Sequence, residues 1–167
     1  MAVYRLENKA VKGSGSLETQ GIGNNRPVRE AVTAAFTYFG TNARKVLPGI
    51  KVSEKDYLLY YGDSQRKGLS TEISLGEFIG LCSALAERSV IESLAIAGDI
   101  KISGTLAKLT NLEEIFRVCK NAGAKRVLIP MDCIMDMQSV SRELLSEIQP
   151  MLYNDPLDAA RKALDIF

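Results

Sequence analysis

Residues 3–11, VYRLENKAV, alternate apolar and polar side chains, the pattern of a strand with one buried face. The Gly- and Ser-rich stretch at 12–16 then reads as a turn, and residues 17–22 as the return strand of a hairpin. Asn24-Asn25-Arg26-Pro27 opens a helix, with Asn as the cap and Pro in the first turn. Along that helix Val28, Val32, Ala35, Phe36 and Phe39 recur on one face, and Pro48-Gly49 ends the pattern. Residues 57–61, YLLYY, predict an interior strand. A second helix runs to about Arg88, with Phe78, Leu81, Cys82 and Leu85 as its apolar face. Residues 94–97 and 100–109 read as two strands around a Gly-containing bend. A third helix follows, with Leu112, Ile115, Phe116 and Cys119 inward and Asn121-Ala122-Gly123 at its end. Val127-Leu128-Ile129-Pro130 is a buried strand stopped by proline, and residues 140–148 are helical. Met151-Leu152-Tyr153 is a short strand, and Asp155-Pro156 starts a last helix carrying Leu157, Ala160 and Leu164.

Strands and helices that alternate after an N-terminal hairpin predict an α/β (α+β) fold with a mixed sheet and about four to five helices. No repeat, low-complexity tract or linker interrupts residues 1–167, so they are expected to form a single domain.

Charge changes this picture little. Twenty-one basic and 20 acidic residues leave a net charge of +1, without the basic excess of a protein built to grip phosphates. DNA contact through a larger assembly remains open. No apolar run is long enough to span a bilayer, and no signal peptide opens the chain, so a cytoplasmic protein without membrane contact is expected.

The absence of histidine prunes the chemistry sharply. It removes a Ser-His-Asp triad, an imidazole base and His-based metal sites. The three cysteines, Cys82, Cys119 and Cys133, are far apart in apolar surroundings and are expected to be buried, reduced thiols. The chain has no Walker A sequence, no G-x-G-x-x-G, no G-x-S-x-G elbow and no C-x-x-C, so neither cofactor nor metal is expected in this domain.

Serines are what remains, and RKGLSTEISLG at 66–76 holds two of interest. Ser74-Leu75-Gly76-Glu77 has the S-x-x-E form of a capping box before the second helix, and Thr110-Asn111-Leu112-Glu113 repeats the form before the third. Ser70 is a loop serine with no evident structural duty. Any nucleophilic serine here would need a lysine or a carboxylate as its base.

From Ser83 onward the chain resembles the proteolytic domain of Lon, the ATP-dependent serine protease. The resemblance is carried by Ser83-Ala84-Leu85, Arg88-Ser89-Val90, Ala97-Gly98-Asp99-Ile100 with Gly104, Leu112, Glu114, the run AGAKRVLIP at 122–130, and the closing helix. It covers essentially the whole chain, and most specifically residues 72–130. It implies the Lon proteolytic fold and a Ser–Lys dyad, in which a lysine takes the proton of an attacking serine. By position the nucleophile falls on Glu72 and the lysine on Ile115, so the resemblance implies a degenerate dyad and no catalytic residue.

Glu72-Ile73, Leu75, Phe78, the run NAGAKRVLIP at 121–130 and Tyr153-Asn154-Asp155-Pro156-Leu157 resemble more closely the Lon-like C-terminal domain of the AAA+ protein of BREX phage-defence systems. That likeness implies an upstream ATPase that would hold ATP and Mg²⁺, and a homo-oligomeric ring, possibly a hexamer. The expected role is an oligomerisation or coupling module that does not hydrolyse peptides.

The alternative is a Lon-type peptidase with a displaced site, pairing Ser70 or Ser74 with Lys67, Lys108 or Lys120. Lys108 and Lys120 lie about one helical turn or more from the expected lysine position, and attack geometry tolerates little misplacement. Glu72 itself either serves the helix start, where a carboxylate meets the amide dipoles, or meets a basic residue of a neighbouring subunit.

Overall fold

The alternation at the N-terminus produces β1 (Arg5–Lys12), and the next strand is β2 (Leu17–Gln20). The structure, a computed structural model, describes residues 1–63, 66–101 and 103–166. Helix α1 (Arg26–Val46) begins as its sequence predicts: Asn25 Oδ1 accepts from the Val28 amide at 3.2 Å, and proline sits in the first turn. It leads to β3 (Lys55–Gly62), which buries Tyr57, Leu59 and Tyr61 and exposes Leu58 and Tyr60.

The N-terminal strands are both present, joined by the 13–16 segment, but they do not pair directly. β3 lies between them, antiparallel to β1 and parallel to β2. The parallel pairing follows from α1, because two parallel strands need a crossover element. The 13–16 segment must therefore arch across about 10 Å, twice the strand spacing. Asp56, at the start of β3, holds the arch. Its Oδ1 accepts from the amides of Ser14, Gly15 and Ser16 at 2.9, 3.1 and 3.0 Å. Those amides, Ser16 and Ser14 foremost, hold its carboxyl below the usual range. A side chain at Gly13 would collide with the same carboxylate. The turn expected from composition is an amide nest around the Asp56 carboxylate.

Helix α2 (Ser74–Ala86) follows, then β4 (Leu94–Ile96), α3 (Leu112–Asn121), β5 (Arg126–Pro130), α4 (Arg142–Glu147), β6 (Gln149–Tyr153) and α5 (Pro156–Leu164). Strands β4, β5 and β6 form a second sheet, entirely parallel. The strand expected within 100–109 is reduced to a bridge between Ile100 and Leu106, closed by a Lys101 amide to Thr105 carbonyl bond of 2.7 Å. Ile102 lies outside the described residues.

Period-two alternation in the second sheet divides the core. Leu128 and Tyr153 face a cluster with Phe78, Leu81 and Ala160 from α2 and α5. Val127 and Ile129 face Phe116 and Leu144 from α3 and α4. Helices α1, α2 and α5 thus fill the space between the two sheets, and α3 and α4 cover the far face of the second. Burying a side chain such as Phe78 stabilises the fold by about 1.5–3 kcal/mol. This placement makes α2 an inner helix. Besides the expected face, it buries Leu75, Ile79, Ser74 and Glu77.

Candidate functional site

The segment before α2 is laid down by hydrogen bonds from its two flanks. Asp63 accepts from the amides of Lys67 and Gly68 at 3.1 and 2.9 Å. Gly68, at φ +82°, takes a conformation that a side chain would strain. The Tyr61 hydroxyl donates to the Ser70 carbonyl at 2.7 Å and accepts from the Ser70 amide at 3.0 Å. Burial of this ring pushes its hydroxyl up to about 12, so it stays protonated and can do both. Tyr4 packs edge-on against it with ring centroids 5.5 Å apart and donates to the Gly68 carbonyl.

Ser70 therefore has the structural duty that its sequence context did not reveal. Its backbone is clamped by Tyr61, and its Oγ accepts from the Glu72 amide at 3.0 Å. Glu72 lies in a turn and is exposed, and its side chain has no ion pair or hydrogen bond among the described residues.

Ser74 corrects the capping expectation. The N-cap is Ile73, whose apolar side chain cannot accept a hydrogen bond, and Ser74 is the first helical residue. It is 1% exposed. Its Oγ donates to Asp99 Oδ1 at 2.7 Å and accepts from the Ile100 amide at 2.6 Å. Lys101 Nζ meets the other Asp99 oxygen at 3.2 Å. The hydroxyl is thus a buried tie between α2 and the segment after β4. The tie is close because Gly98 has no side chain: a Cβ there would collide with the Tyr153 hydroxyl and lie 2.6 Å from Leu75 Cδ2.

The second half of the expected capping box also fails. Glu77 is fully buried, and its Oε2 accepts from Asn8 Nδ2 of β1 at 3.1 Å. The Thr110–Glu113 box fails likewise. The N-cap is Asn111, in the left-handed region and without a side-chain bond. Glu113 accepts from the Ser141 amide at 2.9 Å and from Arg117 at 2.7 Å.

Ile115, on which the resemblance to Lon placed the lysine, is 9% exposed and packs with Leu112, Phe116 and Cys119. Lys108 is exposed in the segment before α3, and Lys120 pairs with Glu147. Among the described residues no lysine amine bonds to Ser70 Oγ or Ser74 Oγ. The cysteines offer no substitute nucleophile. All three are buried and unpaired, and burial pushes the Cys82 thiol to about 12 and the Cys119 thiol to about 11.

Among the described residues no three His, Cys, Asp or Glu side chains cluster as a metal site would need. No described helix is long and apolar enough to cross a membrane.

Two participants went unremarked in the sequence. Lys101 joins Asp99 from two residues away and left no pattern. Asn8 did leave a signal, as a polar residue at an inward position of the strand, between Leu6 and Ala10.

Comparison with known proteins places this geometry. The family model described as Lon protease (S16) C-terminal proteolytic domain matches residues 2–165. The Lon-like protease BrxL of Bacillus cereus (strain H3081.97) is 35% identical over 166 residues, covering 99% of this chain and 25% of that protein. The Lon-like protease BrxL of Escherichia coli O9:H4 (strain HS) is 34% identical, over 98% of this chain and 24% of that protein. The Lon protease of Flavobacterium johnsoniae is 26% identical over 84% of this chain and 17% of that protein. The chain spans about a quarter of the length of its BrxL relatives.

Proposed function

The chain belongs to the Lon protease (S16) C-terminal proteolytic domain family, and from that premise we propose that it is a Lon-like domain that does not hydrolyse peptides. Its role is oligomerisation or coupling within a longer AAA+ protein of BREX-type phage defence, whose upstream module binds ATP and Mg²⁺ and assembles as a ring. Its likeness to the BrxL proteins supports that setting. The loss of peptidase chemistry rests on one observation above the others: both nearby serine hydroxyls are engaged in structural hydrogen bonds that involve no lysine. With Glu72 exposed where the attacking hydroxyl is expected and Ile115 packed into the core, no lysine and serine hydroxyl meet there among the described residues.

A displaced peptidase site is the second reading, favoured only by the Ser74–Asp99–Lys101 chain. Against it, Ser74 is buried, with its Oγ held between Asp99 and the Ile100 amide, so a substrate carbonyl has no line of approach.

Casein hydrolysis and labelling by a serine-directed fluorophosphonate test the proposal. No labelling and no ATP-stimulated hydrolysis are expected. Hydrolysis that disappears in Ser70→Ala or Ser74→Ala overturns it. Glu72→Gln, followed by sedimentation, separates a local helix-start role, with assembly unchanged, from a contact with a neighbouring subunit, with assembly lost.

A further inference from the structure

On the inner face of the first sheet, Glu77 of α2 and Asn8 of β1 make one hydrogen bond and lack another. Asn8 Nδ2 donates to Glu77 Oε2 at 3.1 Å. The remaining oxygens of the same two side chains, Glu77 Oε1 and Asn8 Oδ1, are buried without partners. Were Glu77 ionised, both atoms would be pure acceptors, and an uncompensated charge would sit in an apolar core. A proton on Oε1 removes both defects, since the acid then donates to Asn8 Oδ1. We propose that Glu77 is carried as the neutral acid in a cyclic, two-hydrogen-bond pair with Asn8, clasping α2 to β1, and that loss of its proton opens the clasp.

The surroundings favour this. From β1, Asn8 faces Glu77 between Leu6 and Ala10, while Glu7 and Lys9 belong to the opposite face of the sheet. From β3 come the Tyr57 and Tyr61 rings, whose hydroxyls donate to the Val52 and Ser70 carbonyls. From α1 comes Tyr38, edge-on to Phe78. From α5 come Ala160, Ala163 and Leu164, with Lys162 turned to Asp158 and the Leu152 carbonyl and Arg161 to the Lys45 carbonyl. On α2 itself the neighbouring titratable group is the buried Cys82 thiol. No cation among these compensates a carboxylate. Burial raises the Glu77 carboxyl to about 8, against the pull of the Asn8 bond. Gly80 leaves Asn8 its room, since a Cβ there would collide with Nδ2.

The clasp holds the same helix whose first turn carries the Ser74–Asp99 tie, so it couples proton concentration to the seam behind the candidate site. It rests on the packing alone and stands whether or not the chain cleaves peptides. The folded state keeps a proton that the unfolded state releases in the ordinary glutamate range. The Glu77 contribution to stability therefore falls as pH rises from the ordinary glutamate range toward about 8 and levels off above it, with the folded-to-unfolded ratio dropping by up to tenfold per pH unit. The chain has no histidine to titrate in the same interval.

Urea unfolding between about pH 5.5 and 7.5 reads that slope, below the range in which unfolding releases the protons of the buried Cys82 and Cys119 thiols. Infrared spectroscopy at the low end reads the carbonyl band of a protonated carboxyl. Glu77→Gln supplies an amide that can make both hydrogen bonds, so it is expected to fold, to lose the slope and to lose the band. A flat profile or a missing band in the unaltered protein overturns the proposal. So does an unchanged slope in Glu77→Gln, or failure of that variant to fold.

Discussion

At α1 and α5 the residue before the helix caps it: Asn25 accepts from the Val28 amide at 3.2 Å and Asp155 from the Asp158 amide at 2.8 Å. At α2 and α3 the sequence offers what look like better devices, S-x-x-E and T-x-x-E, and neither closes. Ser74 turns to Asp99 and Ile100, Glu77 to Asn8, and Glu113 to Ser141 and Arg117. The difference lies in the surroundings. Asn25 and Asp155 are exposed, so no distant partner competes with the local amide. Ser74 and Glu77 are buried where other segments bring unpaired polar groups, and satisfying those in the interior outweighs a cap of about 1 kcal/mol. The exposed starts of α1 and α5 obey local chemistry, and the buried start of α2 obeys the tertiary structure.

This contrast can be broken most forcefully at Gly98. Gly98→Ala drives a methyl group against Leu75 and Tyr153, prising the first turn of α2 from the end of β4. A loss of about 3 kcal/mol in urea unfolding is expected, the upper end for overpacking. Ser74→Ala follows, at about 2 kcal/mol by the same measurement, because it strips the buried Ile100 amide of its acceptor. A cap alone would lose about half that. Asp155→Ala supplies the reference, at about 1 kcal/mol and confined to the start of α5, where hydrogen exchange should quicken. Equal losses for Ser74→Ala and Asp155→Ala would erase the distinction between the two kinds of helix start.

Much of the fold was legible. Val28, Val32, Ala35 and Phe39 form a buried face as their spacing predicts, and so do Leu112, Ile115, Phe116 and Cys119. Asn25-Arg26-Pro27 and Asp155-Pro156 open helices where expected. Of the site, the packing of Ile115 into the apolar face of α3 was legible from its spacing. The duties of Ser70 and Ser74 did not show, because their partners Tyr61 and Asp99 are nine and 25 residues away. The 13–16 arch did not show either, since Asp56 arrives from 40 residues downstream.

Apart from the 100–109 strand, the amino-acid sequence by itself determined where the strands and helices lie and one inward face of each long helix, because periodicity is a property of neighbouring residues. Only the tertiary structure decided that β3 would enter between β1 and β2, that Ser74 would tie rather than cap, and that Glu77 would lie beside Asn8 with no cation among the described residues to meet it. A polar side chain answers to whichever partner reaches it after water is excluded, and in the interior that partner comes from layers distant along the chain.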